Sequence, residues 1–92
     1  MTAPFSVLLP VYRGDRPEFF RRAIASVTID QTLRPDELVI VRDGPVSEGL
    51  AEVVDAAASG TATAGVPVRV VALEENVGLA RALEAGLAVC AH

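Results

Sequence analysis

Three short polar stretches follow aliphatic runs in this 92-residue sequence: residues 11–15 (VYRGD), 42–45 (RDGP) and 74–76 (EEN). Tyr12, in the first stretch, offers a flat aromatic face on which a planar ring can stack. Asp43, in the second, is a pure hydrogen-bond acceptor when ionised and can take the N–H of a pyrimidine or purine ring. These two residue types predict recognition of a nucleobase.

Further residues near these stretches fit the same role. Gly44 lets the backbone turn tightly beside a ligand. Asn76 and Gly78 are placed to set the start of a helix, and Arg81, one turn inside that helix, can reach a base or a phosphate. Each feature also has an ordinary structural explanation, because Asp-Gly is a common turn, Asn is a common cap and aromatic rings often pack over strand ends. Their occurrence together favours a ligand-binding site.

The elements that must position these residues follow from hydrophobic patterning. Apolar, β-branched runs predict buried strands at residues 5–10, 37–41 and 66–73, with Pro10 ending the pairing of the first strand. Helical spacing of apolar residues predicts a helix after each strand. The small-residue stretch 59–65 is expected to be a mobile loop.

The predicted helices have recognisable starts. Asp15 and Glu18 form a possible capping box, with Pro17 in the first turn. Ser47 is the expected cap of the second helix and Asn76 that of the third. The resulting order, β-α-β-α-β-α, predicts a three-layer α/β/α domain over residues 1–92 with a parallel sheet and right-handed crossovers. In such a sheet ligands bind at the carboxyl ends of the strands, where all three polar stretches fall.

Composition and missing motifs exclude several classes of protein. A net charge of −4 argues against binding a nucleic-acid backbone. The loop after the first strand has neither phosphate-binding glycine pattern, and the only His, at position 92, leaves no metal-ligand spacing and no catalytic triad. Cys90 is the single cysteine and reads as a small buried apolar residue, so no internal disulfide is possible. No apolar run is long enough to span a membrane, and we expect a cytoplasmic protein.

Four segments in order resemble a known family: VLLPVY at residues 7–12, AIASV followed by Gln31-Thr32, a strand entering Asp43-Gly44, and Asn76-x-Gly78 before Ala82-Leu83-x-x-Gly86. This resembles the start of family 2 glycosyltransferases, inverting enzymes that use nucleotide sugars. The resemblance covers nearly the whole chain and implies the Rossmann-like N-terminal half of a GT-A fold. It implies a nucleotide-binding set of Pro10, Val11, Tyr12, Asp43, Gly44 and Arg81.

The sequence departs from the family pattern at four positions: Arg13, Arg42, Pro45 and Glu84 stand where Asn, Asp, Ser and Asn are usual. These departures leave the nucleotide open among UDP, GDP and dTDP. The Asp-Gly-Pro turn is similar to that of a bacterial subgroup associated with capsular or exopolysaccharide assembly. The resemblance thus implies a hexosyl-type transferase of cell-surface glycan synthesis, at the cytoplasmic membrane face in the full-length protein.

The resemblance also implies parts that these residues do not contain. In the family an Asp-x-Asp motif after the next strand holds Mg²⁺ or Mn²⁺, and a later acid deprotonates the acceptor. We therefore expect a fragment that holds no metal and no catalytic residue and is inactive alone, with the glycan acceptor bound elsewhere. The family strand order, 3-2-1-4, implies that the outer edge of the first strand is exposed here, and it predicts self-association through that edge.

Two other classes stay open. A flavodoxin-like binding or signalling module would need paired acids after the first strand, where Val11 and Tyr12 stand, and a phosphorylatable Asp after the third, where Glu74 and Glu75 stand. A nucleotidyltransferase would need a glycine-rich basic loop after the first strand, which residues 13–16 only faintly match.

Overall fold

The alternation of strands and helices predicted from the sequence is confirmed. A computed structural model of the chain describes residues 3–60 and 63–91. The elements, in chain order, are β1 (Ser6–Val11), α1 (Pro17–Val27), β2 (Glu37–Arg42), α2 (Glu48–Ala58), β3 (Val68–Ala72) and α3 (Leu79–Leu87). In the described residues none of the helices is long and apolar enough to cross a lipid bilayer.

The three strands form one parallel sheet in the order β1-β2-β3. Alternate residues of β2 pack on opposite sides: Leu38 and Ile40 join the core built with α1 and α2, whereas Val39 and Val41 join the core under α3. All four side chains are fully buried, and each stabilises the fold by about 1.5–3 kcal/mol. The three-layer α/β/α architecture is therefore as predicted.

Helix α3 approaches the sheet closely because small residues face it. Ala82 is fully buried, and a Cβ added at Gly86 would overlap the side chains of Leu8 and Val41. Cys90 is a free thiol packed against the same core, but it is partly buried and not buried as predicted. This close packing sets the distance between α3 and the sheet, and so the position of the start of α3 at the carboxyl edge of the strands.

The prediction that Pro10 ends the pairing of β1 is wrong. The strand continues to Val11, and Pro10 lies opposite Val41 of β2. The carbonyl of Val11 accepts a hydrogen bond from the N–H of Asp43 at 2.8 Å, so Val11 directs its backbone groups toward β2. Because successive residues direct these groups to opposite sides, those of Pro10 face the free edge. The missing N–H therefore costs no bond between β1 and β2.

Two of the three predicted helix caps are also wrong. The N-cap of α1 is Arg16, which makes no side-chain cap, although Pro17 does open the helix. The N-cap of α3 is Gly78, two residues after Asn76. Ser47 caps α2 as predicted, with its Oγ accepting from the N–H of Leu50 at 3.2 Å. Asp15 and Asn76, the two residues predicted as the other caps, form hydrogen bonds within the loops described below.

The segment between α2 and β3 was expected to be a loop with nothing to pack. Residues 61 and 62 lie outside the described part of the chain. Thr63 is fully buried, and its hydroxyl donates to the carbonyl of Val66 at 2.9 Å. This turn is therefore anchored, and β3 starts at Val68 rather than at Val66.

Candidate functional site

The loops at the carboxyl ends of the strands surround an open cavity of about 410 Å³. Parallel strands bring their carboxyl ends to one edge, and the loops diverge there to leave a crevice. Four of the six residues predicted to bind a nucleotide line this cavity: Pro10, Val11, Tyr12 and Asp43. The rest of its lining consists of Asp15, Asn76, Gly78 and Leu79.

Tyr12 forms an exposed wall of the cavity, with 48% of its surface accessible. Its backbone N–H donates to Oδ2 of Asp15 at 3.0 Å, and its carbonyl accepts from the N–H of Asp15 at the same distance. A carboxylate bonded to the backbone three residues earlier closes a tight turn. Asp15 therefore shapes the loop after β1 instead of capping α1.

Asp43 lies at the base of the cavity and is only 6% exposed. Its Oδ1 accepts from the N–H of Val77 at 2.7 Å, and its backbone carbonyl accepts from Nδ2 of Asn76 at 3.3 Å. A charge-assisted bond to a backbone N–H is stronger than a neutral one. Asp43 thus ties the loop before α3 to the end of β2, and Asn76 serves this connection rather than capping a helix.

Gly44 lies next to the connection between Asp43 and the loop before α3. Its φ of +85° lies in the left-handed region, and a Cβ there would come within 2.6 Å of the backbone nitrogen of Asn76. Both the conformation and the close approach require glycine. Gly44 is therefore outside the cavity lining, and its contribution is to let the loops after β2 and β3 meet.

Like Gly44, Arg81 is a predicted residue that does not line the cavity. It is exposed on the first turn of α3, and the lining stops at Leu79. Among the described residues that line the cavity, the ionisable ones besides Tyr12 are two acids, Asp15 and Asp43. An anionic phosphate is disfavoured in such a cavity, whereas an uncharged ring with N–H donors is favoured.

Asp15 and Leu79 line the cavity but are not among the residues predicted to bind the nucleotide. The spacing from Tyr12 to Asp15 was a usable signal, since an Asp in a Gly-containing loop often bonds to nearby backbone. Leu79 carried no comparable signal, because an apolar residue at the start of an amphipathic helix is normally part of the core. Here it is 62% exposed and lines the cavity.

The residues present do not fit a metal site. Over residues 3–60 and 63–91 no three His, Cys, Asp or Glu side chains are grouped so as to hold a metal ion. In addition, the carboxylates of Asp15 and Asp43 each bind a backbone N–H.

A parallel α/β/α domain with its polar loops gathered around a crevice at the carboxyl edge of the sheet belongs to the class that binds ligands at that edge. The chain belongs to glycosyl transferase family 2, whose sequence profile matches residues 6–92. The family that the resemblance implied is therefore confirmed, which favours it over the signalling-module and nucleotidyltransferase alternatives. No solved structure matches it significantly.

Bacterial glycosyltransferases are similar to the chain over almost its whole length. The amylovoran biosynthesis glycosyltransferase AmsE of Erwinia amylovora is 43% identical over 88 residues, 96% of this chain and 31% of that protein. The UDP-Gal:alpha-D-GlcNAc-diphosphoundecaprenol beta-1,3-galactosyltransferase of Escherichia coli is 37% identical over 91 residues, 99% of this chain and 31% of that protein. The chain thus spans about a third of the length of these relatives.

Proposed function

We propose that this chain is the nucleoside-binding part of an inverting glycosyltransferase that takes its sugar from a nucleotide-sugar donor. The observation that carries the proposal is the placement of Asp43 beside Tyr12 in one cavity. Within the described residues only Oδ1 of Asp43 has a protein donor, the N–H of Val77. Its Oδ2 is then an acceptor for the ring N–H of a base stacked on Tyr12.

We further propose that the nucleotide is a uridine phosphate, with GDP and dTDP as the competing candidates. Uracil presents one ring N–H, at N3, to a single carboxylate oxygen. The name of the Escherichia coli relative contains UDP-Gal, which supports a UDP-linked hexose as the first donor to test. The acidic lining supports a base in the cavity with the diphosphate outside it, toward Arg81.

The rest of the proposed reaction is based on the names of the relatives. The word amylovoran in one name and the diphosphoundecaprenol in the other support a role in bacterial surface polysaccharide assembly with a lipid-linked acceptor. Such an acceptor would place the whole enzyme at the cytoplasmic face of the membrane. We propose that the acceptor site, the catalytic base and the ligands of Mg²⁺ or Mn²⁺ lie in parts of the enzyme beyond residues 1–92.

We also propose that this chain self-associates through the free edge of β1. In the described sheet β1 pairs only with β2, so backbone groups of Leu8 face outward. Unpaired strand edges bind other strands, although Pro10 removes one donor from this edge. Analytical ultracentrifugation is expected to show a fraction of dimer that increases with protein concentration. A monomer at every concentration would contradict this part of the proposal.

The nucleoside proposal is tested by titrating the ¹⁵N-labelled chain with UMP and, as the matched control, CMP. Both have the same sugar, phosphate and ring size, but cytosine carries an acceptor at N3 where uracil carries an N–H. We expect UMP to shift the amide signals of Tyr12, Asp43 and Val77, and CMP to shift them much less. Equal shifts with both nucleotides would contradict recognition by Asp43. No shift with UMP, GMP or dTMP would contradict the proposed function.

A further inference from the structure

The aromatic ring of Tyr12 lies against the backbone of Gly14, two residues further along the same loop. A Cβ added at Gly14 would lie 2.5 Å from Cε2 of Tyr12 and 2.7 Å from both its Cζ and its Oη. Contacts this short do not occur between real side chains, so the ring and a side chain at position 14 exclude each other. Gly14 is thus required by the placement of the ring.

The other end of the same turn is held by Asp15. The two bonds between Tyr12 and Asp15, each of 3.0 Å, fix the backbone from which the ring projects. Tyr12 is 48% exposed and belongs to neither of the two hydrophobic core clusters of the described residues. The orientation of this cavity wall is consequently set within the loop, by contact with Gly14 and by the carboxylate of Asp15.

The turn also separates two spaces. Gly14 and Asp15 line a second cavity of about 440 Å³ on the α1 side, and Pro10 and Asp15 line both cavities. Tyr12 itself lines the first cavity and is 48% exposed, so a ring pushed off Gly14 has open space on that side. It can leave its position without disturbing the core.

We propose that Gly14 and Asp15 are positioning residues that hold the ring of Tyr12 in place as a preformed stacking surface. This inference rests on the proposed function, because the surface serves the base of the nucleotide. A ring already ordered in the free protein loses little side-chain entropy when the base binds. Releasing the ring should then weaken binding by about 2- to 10-fold without changing its chemistry.

The test begins with the nucleotide-free chain, because this readout does not depend on binding. Tyr12 is the only tyrosine and there is no tryptophan, so its ring signals are unambiguous. We expect NMR cross-peaks between the ring protons of Tyr12 and the Hα protons of Gly14. Their absence would overturn the positioning role. Failure of the unchanged chain to bind any nucleotide would instead contradict the proposed function.

Variants then connect ring position to affinity. In Gly14→Ala the tyrosine is kept and its ring is displaced, so we expect unchanged thermal stability, an altered ring environment and about 2- to 10-fold weaker UMP binding. Asp15→Ala should act in the same way, and Asp15→Asn, which keeps an acceptor oxygen, should restore affinity. The matched control is Gly49→Ala in α2, where the nearest atom is Cγ of Pro17 at 3.1 Å and which does not line the cavity. A Gly14→Ala chain that binds UMP like the control, with its ring displaced, would overturn the inference.

Discussion

The carboxylate of Asp43 and the backbone N–H of Val77 are joined by a hydrogen bond of 2.7 Å across 34 positions of sequence. The bond connects the end of β2 to the loop that precedes α3. One side chain therefore helps to build the cavity and, through its second oxygen, is proposed to bind the ligand. Substitutions at Asp43 must be chosen so that these two contributions separate.

Asp43→Asn and Asp43→Ala make this separation. Asparagine keeps an oxygen for Val77 but presents an N–H₂ group to the base, so stability should change little while UMP affinity falls at least about 10-fold, or 1.4 kcal/mol. Alanine also leaves the N–H of Val77 without its partner, which should lower the free energy of unfolding by about 1–3 kcal/mol. Urea unfolding and NMR titration measure the two effects. An Asp43→Asn chain with unchanged UMP affinity would contradict the role in binding.

Gly44 and Gly60 provide a matched pair for the loop closure behind Asp43. Their φ values are +85° and +86°, but a Cβ at Gly60 meets no atom of the described residues within 4 Å, whereas one at Gly44 meets the backbone of Asn76. Gly60→Ala should therefore cost only the left-handed strain, about 1–2 kcal/mol. Gly44→Ala should cost at least about 3 kcal/mol, because overpacking adds to that strain.

Thermal and urea unfolding of both variants give the comparison. A domain of this size has a free energy of unfolding of only about 5–14 kcal/mol, so Gly44→Ala should lower the unfolding midpoint clearly more than Gly60→Ala. Equal destabilisation by the two substitutions would show that the loops after β2 and β3 do not meet as closely as described.

Glu37 is a buried acid at the opposite, amino-terminal edge of the sheet, and it should affect stability alone. It is 7% exposed, and its Oε1 accepts from Oγ of Ser6 at 2.7 Å and from the N–H of Ala91 at 2.5 Å. Glu37→Ala removes the acceptor oxygen of both bonds and should cost about 1–3 kcal/mol. Glu37→Gln keeps an acceptor oxygen and should cost less.

The same two chains, titrated with UMP below their unfolding temperature, should retain the affinity of the unchanged protein. A loss of affinity in Glu37→Gln comparable to that in Asp43→Asn would mean that the two edges of the sheet are coupled. The cavity would then depend on more than its own loops.

The order of elements was predictable because it rests on local periodicity. Apolar runs such as residues 37–41 predict buried strands whatever lies around them, and the alternation with amphipathic helices leaves a parallel sheet as the natural arrangement. The place of the cavity followed from the same topology. Tyr12 and Asp43 were predictable as its lining because each directly follows a strand.

The caps were mispredicted because Asp and Asn side chains serve loops and helix starts equally well. Asp15 bonds to Tyr12 within its turn, and Asn76 bonds to Asp43, which is 33 positions away. A hydrogen bond between residues far apart in the sequence cannot be detected from the spacing of neighbouring residues. For the same reason the sequence did not show that Val77 occupies one oxygen of Asp43, or that the ring of Tyr12 lies on Gly14.

Substitution of Arg81 tests whether the diphosphate lies outside the acidic cavity, on the side of α3. Since it is exposed, its attraction for a phosphate is expected to be modest, about 0.2–1 kcal/mol, and to fade with salt. Arg81→Ala should therefore weaken UDP binding up to about 5-fold at low ionic strength, leave uridine binding unchanged and have no effect in 0.5 M salt, roughly where the Debye length falls below 5 Å.

The control for Arg81→Ala is Arg34→Ala, which removes the same charge from an exposed position in the segment between α1 and β2. It should keep the full preference for UDP over uridine, because Arg34 lies before β2 at the amino-terminal edge of the sheet. Calorimetric or NMR titrations with uridine and UDP at two salt concentrations distinguish the variants. If Arg81→Ala matches Arg34→Ala, the guanidinium of Arg81 is only a solvated charge on α3, and the phosphates must be bound by residues from another part of the enzyme.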